Sequence, residues 1–164
     1  PHRFLFFNLC PFLHTMANPR SQVRRIIKAA GNDIRVASGA VSRLVDYLEE
    51  RTVLETEEAI EVARDRGSRL LSSEHFDSCA TCSAKELTPE SVQFLMRKIL
   101  VINDAETSSE NERAAAEHLA GILEAEAACR SSAALEFAPH AKRKTINERD
   151  MELALDVADN TCQI

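Results

Sequence analysis

Two clusters of basic side chains are the residues of this sequence whose types and spacing could do chemistry. The first lies between Met16 and Val36, where the acidic residue is Asp33. Its members are Arg20, Arg24, Arg25, Lys28 and Arg35. The second is the run Lys142, Arg143 and Lys144. Cationic side chains gathered in this way neutralise phosphate groups, so both clusters predict contacts with a polyanion.

Metal binding and catalysis have weaker support in the sequence. Cys79 and Cys82 form a CxxC pair after His75, but tetrahedral zinc requires four ligands and the sequence offers no second such pair. His140 precedes the second basic cluster, yet nothing in the sequence places a nucleophile beside it. We therefore expect no metal site, no cofactor, no small-molecule substrate and no enzymatic activity.

Composition predicts a packed, all-α protein. Of 164 residues, 45% are hydrophobic and 28% charged, there are 4 glycines, and no run of alternating β-branched residues occurs. The formal net charge of -6 argues against a protein that coats nucleic acid uniformly. The acidic residues concentrate in 46–61 and 104–126, which are predicted to be solvated helix faces or, alternatively, a surface for a protein partner.

The cysteines and the first residues set further expectations. Five widely spaced cysteines do not predict a disulfide framework, and a reducing compartment fits them best. Residues 1–15 are apolar and aromatic, too short for a membrane span, and lack a small-residue cleavage site. We expect a disordered or spurious extension there, with a targeting or membrane-touching segment as the alternative, and no membrane partner.

Two similar units must position the basic clusters. Residues 77–86 are small and polar and serve as the predicted linker between a first unit, 16–76, and a second unit, 87–164. Each unit has a short helix, a long helix and a short helix separated by loops, a repeat of one supersecondary pattern. In the first unit the predicted helices cover residues 19–30, residues 40–66 and a short segment from Ser73 through Phe76. In the second unit a helix begins at residue 89 after Thr88, and further helices cover residues 113–141 and 148–157.

The long helices require a partner. Each would be on the order of 40 Å long with one apolar stripe, which it cannot bury alone. Pairing the units, long helix across long helix, is the physical solution, and fusion on one chain makes that pairing intramolecular. Pro139 falls near the end of the second long helix and predicts a kink there.

The same residues resemble the histone fold. Residues 22–50, QVRRIIKAAGNDIRVASGAVSRLVDYLEE, resemble the first helix, first loop and half of the central helix of an archaeal histone. Residues 140–155, HAKRKTINERDMELAL, resemble the second loop and third helix, and HAKRKT is also similar to a eukaryotic core histone. The resemblance covers about 18–157 and implies two histone folds fused head to tail and paired as an intramolecular handshake dimer.

The resemblance also implies roles for individual residues. Arg35 matches an arginine that enters the DNA minor groove, whereas Arg143, Lys144 and Thr145 match loop residues that contact phosphates. Arg143 further matches an arginine that forms a salt bridge with a third-helix aspartate, here Asp150. The full predicted DNA-binding set is Arg20, Arg24, Arg25, Lys28, Arg35, Arg69, Lys142, Arg143, Lys144 and Thr145.

The sequence departs from the pattern in one loop of each unit. The second loop of the first unit keeps a charge only at Arg69, and the expanded first loop of the second unit has no obvious minor-groove arginine. In a handshake, the first loop of one unit lies beside the second loop of the other. We therefore expect Arg35 beside Arg143 and Lys144 at one strong DNA-contacting end, opposite a weakened one.

Assembly into larger particles is a further expectation. In histones, a His near the end of the central helix of one dimer contacts an Asp of the third helix of another dimer. The second unit has this pair as His140 and Asp150, whereas the first unit has Asp65 in the place of the His and His75 in the place of the Asp. A contact between unlike units would therefore set Asp against Asp. Any higher assembly is therefore predicted to use like-to-like contacts.

Two functions remain open at this point. The first is a DNA-packaging histone doublet that wraps and compacts duplex DNA with little sequence preference, on an archaeal chromosome or nucleoid or in viral chromatin. The second is a histone-fold scaffold of a transcription or chromatin complex with weak or no DNA binding. The sequence decides neither the source, nor the length of DNA bound, nor the oligomeric state.

Overall fold

The computed structural model describes residue 16 and residues 19–31, 33–76 and 83–157. Five α-helices and two short strands occur within these residues. In chain order they are α1 (Arg20–Ala30), β1 (Arg35–Val36), α2 (Ser38–Asp65), α3 (Pro89–Ile102), α4 (Ser109–His140), β2 (Thr145–Ile146) and α5 (Glu148–Val157). The predictions for residues 1–15, for most of the linker and for Cys79 and Cys82 fall outside the described residues.

The first helix is amphipathic and ends where sequence predicts. Val23, Ile26 and Ile27 share its buried face, and Gly31 follows its last residue. A Cβ atom at Gly31 would lie 2.6 Å from a methyl carbon of Leu135, so the glycine permits close approach between α1 and α4.

Helices α1 and α2 lie within two residues of their predicted bounds, and two other elements differ more. Helix α4 begins at Ser109, four residues before the expected start, because the Ser108 hydroxyl accepts the Asn111 N–H at 3.2 Å and caps it. The third helix of the first unit is only a 3-10 turn over Ser73–His75. Pro139 does not end α4, which continues to His140; a proline in the last turn removes one backbone donor only.

The two units share one core because their helices pack across the division of the chain. Helix α1 packs on α4, whereas α3 and α5 both pack on α2. The buried face of α4 is built largely from small residues, which let neighbouring helices approach closely. These are Ala115, Ala116, Ala120, Gly121, Ala127, Ser131, Ala134 and Ala138. The larger apolar residues Ile122, Leu135 and Phe137 of α4 are only partly buried, at the margin of the core.

The segment that enters the second unit is fixed by one carboxylate. Glu124 on α4 accepts backbone N–H groups from Lys85, Glu86 and Leu87, at 2.8 to 3.0 Å. A charged acceptor shared by three donors is a strong arrangement. It holds this segment against the middle of α4 and sets where α3 begins.

A polar network lies where α2 crosses α4. The Tyr47 hydroxyl donates to Glu126, and Arg130 donates to the Tyr47 oxygen at 2.9 Å. The guanidinium of Arg130 also lies 5.2 Å from the centre of the Tyr47 ring. Burial, together with the hydrogen bond to Glu126, raises the pKa of Tyr47 to about 12.

This pKa predicts how stability depends on pH. The unfolded chain ionises its tyrosine near the ordinary value of 10.0, before the folded chain does. The free energy of unfolding should therefore fall as pH rises from 10 to 12, and Tyr47→Phe should remove that part of the loss. Tyr47 is the single tyrosine and there is no tryptophan, so tyrosinate absorbance follows this residue alone. Titration of the folded chain at the ordinary value would contradict the prediction.

The cysteine prediction needs a correction. Cys129 on α4 is disulfide-bonded, although the wide spacing of the cysteines predicts no disulfide framework. Spacing along the chain does not show which cysteines meet, because disulfide formation depends on distance in the folded structure. Among the described residues, no helix is long and apolar enough to span a membrane.

Candidate nucleic-acid interface

The two basic clusters meet through a short parallel sheet. Strand β1 pairs with β2 so that Arg35 lies opposite Thr145 and Val36 opposite Ile146. The Arg35 N–H donates to the Lys144 carbonyl at 2.9 Å. The predicted placement of Arg35 beside the Lys142–Lys144 run is therefore observed, and it joins a loop of each unit.

Four side chains form what we call the cationic edge: Arg35, Lys142, Arg143 and Lys144. Arg35 and both lysines are exposed, whereas Arg143 is partly buried. Lys142 follows the end of α4 with a φ of 56°, in the left-handed region that favours glycine. Positive charge on three exposed side chains at one end of the molecule can neutralise phosphates despite the net charge of the whole chain.

Arg143 has a second role as a structural residue. Its guanidinium forms two hydrogen bonds with the Asp150 carboxylate, at 2.9 and 2.6 Å, which is the salt bridge predicted from the sequence. Asp150 is 1% exposed and also accepts the Asn147 N–H at 2.9 Å, while the Asn147 side chain caps the Asp150 N–H at 3.0 Å. One buried carboxylate thus fixes the loop of the cationic edge to the start of α5.

The basic residues of α1 divide into two groups. Arg20 and Lys28 are exposed. Arg24 donates to the Val36 carbonyl at 3.0 Å and supports β1, whereas Arg25 forms an ion pair with Glu86. The sequence could not show these partners, because both are brought to α1 by tertiary packing.

The opposite end of the molecule has the same backbone geometry and different charge. Leu70 and Glu106 form an isolated parallel bridge, and the Glu106 N–H donates to the Arg69 carbonyl at 3.1 Å. By this hydrogen-bond pattern Glu106 takes the place of Arg35, and Arg69 that of Lys144. Arg69 is 81% exposed and pairs at 3.5 Å with Asp104. This mixed-charge edge lies where the sequence predicts the weaker DNA-contacting end, and its DNA binding stays a prediction.

Glu106 is the residue of this edge that the sequence patterns do not identify. The expanded loop before α4 has no obvious alignment with the loop before α2, so the counterpart of Arg35 could not be chosen by spacing. The strand-like pairing of Glu106 with Leu70 identifies it. A carboxylate in this place repels phosphate, a stronger departure than the absence of an arginine.

The predicted assembly residues are not brought together within the chain. Asp65 and His140 are exposed near the ends of α2 and α4. His75 is buried and its Nδ1 accepts the Ser72 N–H at 3.0 Å, and Asp150 is engaged by Arg143. Contacts between like units would have to compete with these intramolecular bonds, so the assembly mode stays a prediction.

Among the described residues, no group of three or more His, Cys, Asp or Glu side chains is placed to hold a metal ion.

The architecture defines a class. Each unit has a long central helix between shorter segments, and loops of opposite units pair at each end, which is the arrangement of the histone fold. Residues 17–80 match the family of histone-like transcription factors (CBF/NF-Y) and archaeal histones. Among solved structures, the histone from Methanopyrus kandleri is similar, with a TM-score of 0.65 and 18% identity over 88% of this chain and 97% of that one. The comparison with curated proteins gave no match. The predicted all-α fold of paired histone folds is confirmed.

Proposed function

We propose that this chain is a non-enzymatic, DNA-binding histone doublet that binds duplex DNA with little sequence preference and bends it around its cationic edge. The observation that carries the proposal is the pairing of β1 with β2, which gathers Arg35, Lys142 and Lys144 on one exposed edge. The histone-family match and the histone fold support a DNA-binding or chromatin role.

The physical reason for low sequence preference lies in the kind of side chain involved. Arginine in a minor groove responds to groove width and potential, and lysines respond to phosphate charge, so neither distinguishes most base sequences. Arg20 and Lys28 on α1 are also exposed and are available to further phosphates. Chromosome or nucleoid association, in an archaeal or a viral setting, follows from this proposal.

A gel shift on random-sequence duplex DNA at low and moderate salt tests the proposal. We expect binding at low salt and a slope of log K against log salt of about -3 to -5, for three to five neutralised phosphates. Nuclease digestion of loaded DNA should then give discrete protected lengths. No shift at low salt would contradict DNA binding.

A histone-fold scaffold with little DNA affinity is the second candidate. The net charge of -6 and the Glu106 and Asp104 carboxylates at the second edge favour it. The same gel shift separates the two, because a scaffold would leave random duplex DNA unbound even at low salt.

A further inference from the structure

The two long helices have nearly the same burial pattern when residue numbers in α2 are increased by 75, although buried Gly121 corresponds to exposed Asp46. The shift is set by the helix ends, since Gly67 and Lys142 follow α2 and α4 with φ values of 74° and 56°. Every buried residue of α2 then has a buried counterpart in α4, except Ile60, whose counterpart Leu135 is partly buried. The units are therefore related by a pseudo-two-fold axis that runs through the helix crossing.

The charges at the crossing break this symmetry. Arg51 corresponds to Glu126, and Glu55 corresponds to Arg130, so each counterpart carries the opposite charge. Within α2 Arg51 pairs with Glu55 four residues later, and within α4 Glu126 pairs with Arg130 in the reverse order. The two helices thus carry the same intrahelical ion pair with its direction reversed.

Counterparts also contact each other across the axis. The Arg51 Nε atom lies 3.1 Å from Glu126 Oε2, with the two side chains only 32% and 17% exposed. In a pair of identical units, a residue that meets its own counterpart on the axis would face its own copy. Two first units would place Arg51 against Arg51, and two second units would place Glu126 against Glu126.

We propose that this charge reversal determines which units pair: it favours a first unit against a second unit and disfavours two copies of the same unit. Like charges brought together in a partly buried crossing repel more strongly than on an open surface. The handshake face of each unit therefore fits a unit of the other type, in the same chain or in a second copy. The proposal does not depend on DNA binding.

Reversing the charges of one helix at a time tests the proposal on the full chain. R51E/E55R reverses α2 and E126R/R130E reverses α4; each keeps its intrahelical pair and sets like charges across the axis. We expect each to lower the folding equilibrium constant by on the order of tenfold to a hundredfold, measured by denaturant unfolding. The chain with all four substitutions should recover most of that loss.

The control reverses an exposed pair elsewhere, R113E/E117R, whose side chains are 69% and 54% exposed. It should leave stability nearly unchanged. A four-substitution chain no more stable than either half-reversed chain would overturn the proposal, because the cost would then come from the individual sites.

Co-refolding tests pairing directly. In the two half-reversed chains, opposite charges face each other across the axis only when the chains exchange units. A mixture of the two should therefore give a domain-exchanged heterodimer. Native mass spectrometry with one chain isotope-labelled detects this species. Wild type mixed with the four-substitution chain should give no such species, since exchange would create mismatches. A heterodimer in the second mixture, or none in the first, would overturn the proposal.

Discussion

Replacing Arg35 and Lys144 together with alanine should weaken binding to random duplex DNA by on the order of a hundredfold at low salt. Both side chains are exposed on the cationic edge, one from each unit, so their removal subtracts charge without opening the core. The slope of log K against log salt should become about two units shallower, since two contacts are lost. Fluorescence anisotropy across a salt series measures both quantities.

Lys144 is a better residue than its neighbour Arg143 to replace together with Arg35. Removing Arg143 would leave the Asp150 carboxylate, 1% exposed, without its ion-pair partner, and the loss of stability would confuse the DNA result. The matched control is Lys85→Ala with Arg113→Ala, two exposed cations outside both edges. Equal loss of affinity in both double variants would show that net charge, and not the cationic edge, governs binding.

Glu106→Arg should increase DNA affinity by about tenfold at low salt and steepen the salt slope by about one unit. Glu106 holds the backbone position that Arg35 holds at the other end, so the substitution places an arginine beside Arg69 in the same loop geometry. The second edge would then resemble the first. The measurement is the same anisotropy titration, with nuclease digestion to detect a longer protected length.

Glu50→Arg is the charge-matched control for this gain. Glu50 is exposed in the middle of α2, away from the paired loops, and the substitution changes net charge by the same amount. If it raises affinity as much as Glu106→Arg, the second edge has no special place in DNA binding.

The elements of this fold follow from the sequence where the chain itself carries the cause. Helix α5 has the predicted bounds and helix α1 begins one residue after the predicted start. Amphipathic spacing defines both helices, and the Asn147 side chain caps the start of α5. The start of α4 was placed too late, since Ser108 is one of several polar residues in that loop that could cap a helix. The third helix predicted for the first unit is a 3-10 turn in the structure. Its apolar pattern is too short to distinguish an α-helix from such a turn.

The candidate site divides in the same way. The predicted salt bridge between Arg143 and Asp150 and the meeting of Arg35 with the second basic cluster both follow from the resemblance to histones. The partners of Arg24 and Arg25 and the place of Glu106 depend on tertiary packing. Sequence spacing holds no information on such long-range contacts.

Lys142 shows what the cationic edge demands of the backbone. Glycine at position 67 ends α2 in a left-handed conformation at little steric cost, whereas a lysine ends α4 in nearly the same conformation, which costs a residue with a Cβ about 1–2 kcal/mol. A glycine would make that helix end more stable but would remove a charge. The end of α4, beside the cationic edge where we propose that DNA binds, is therefore more strained than the end of α2 beside the mixed-charge edge.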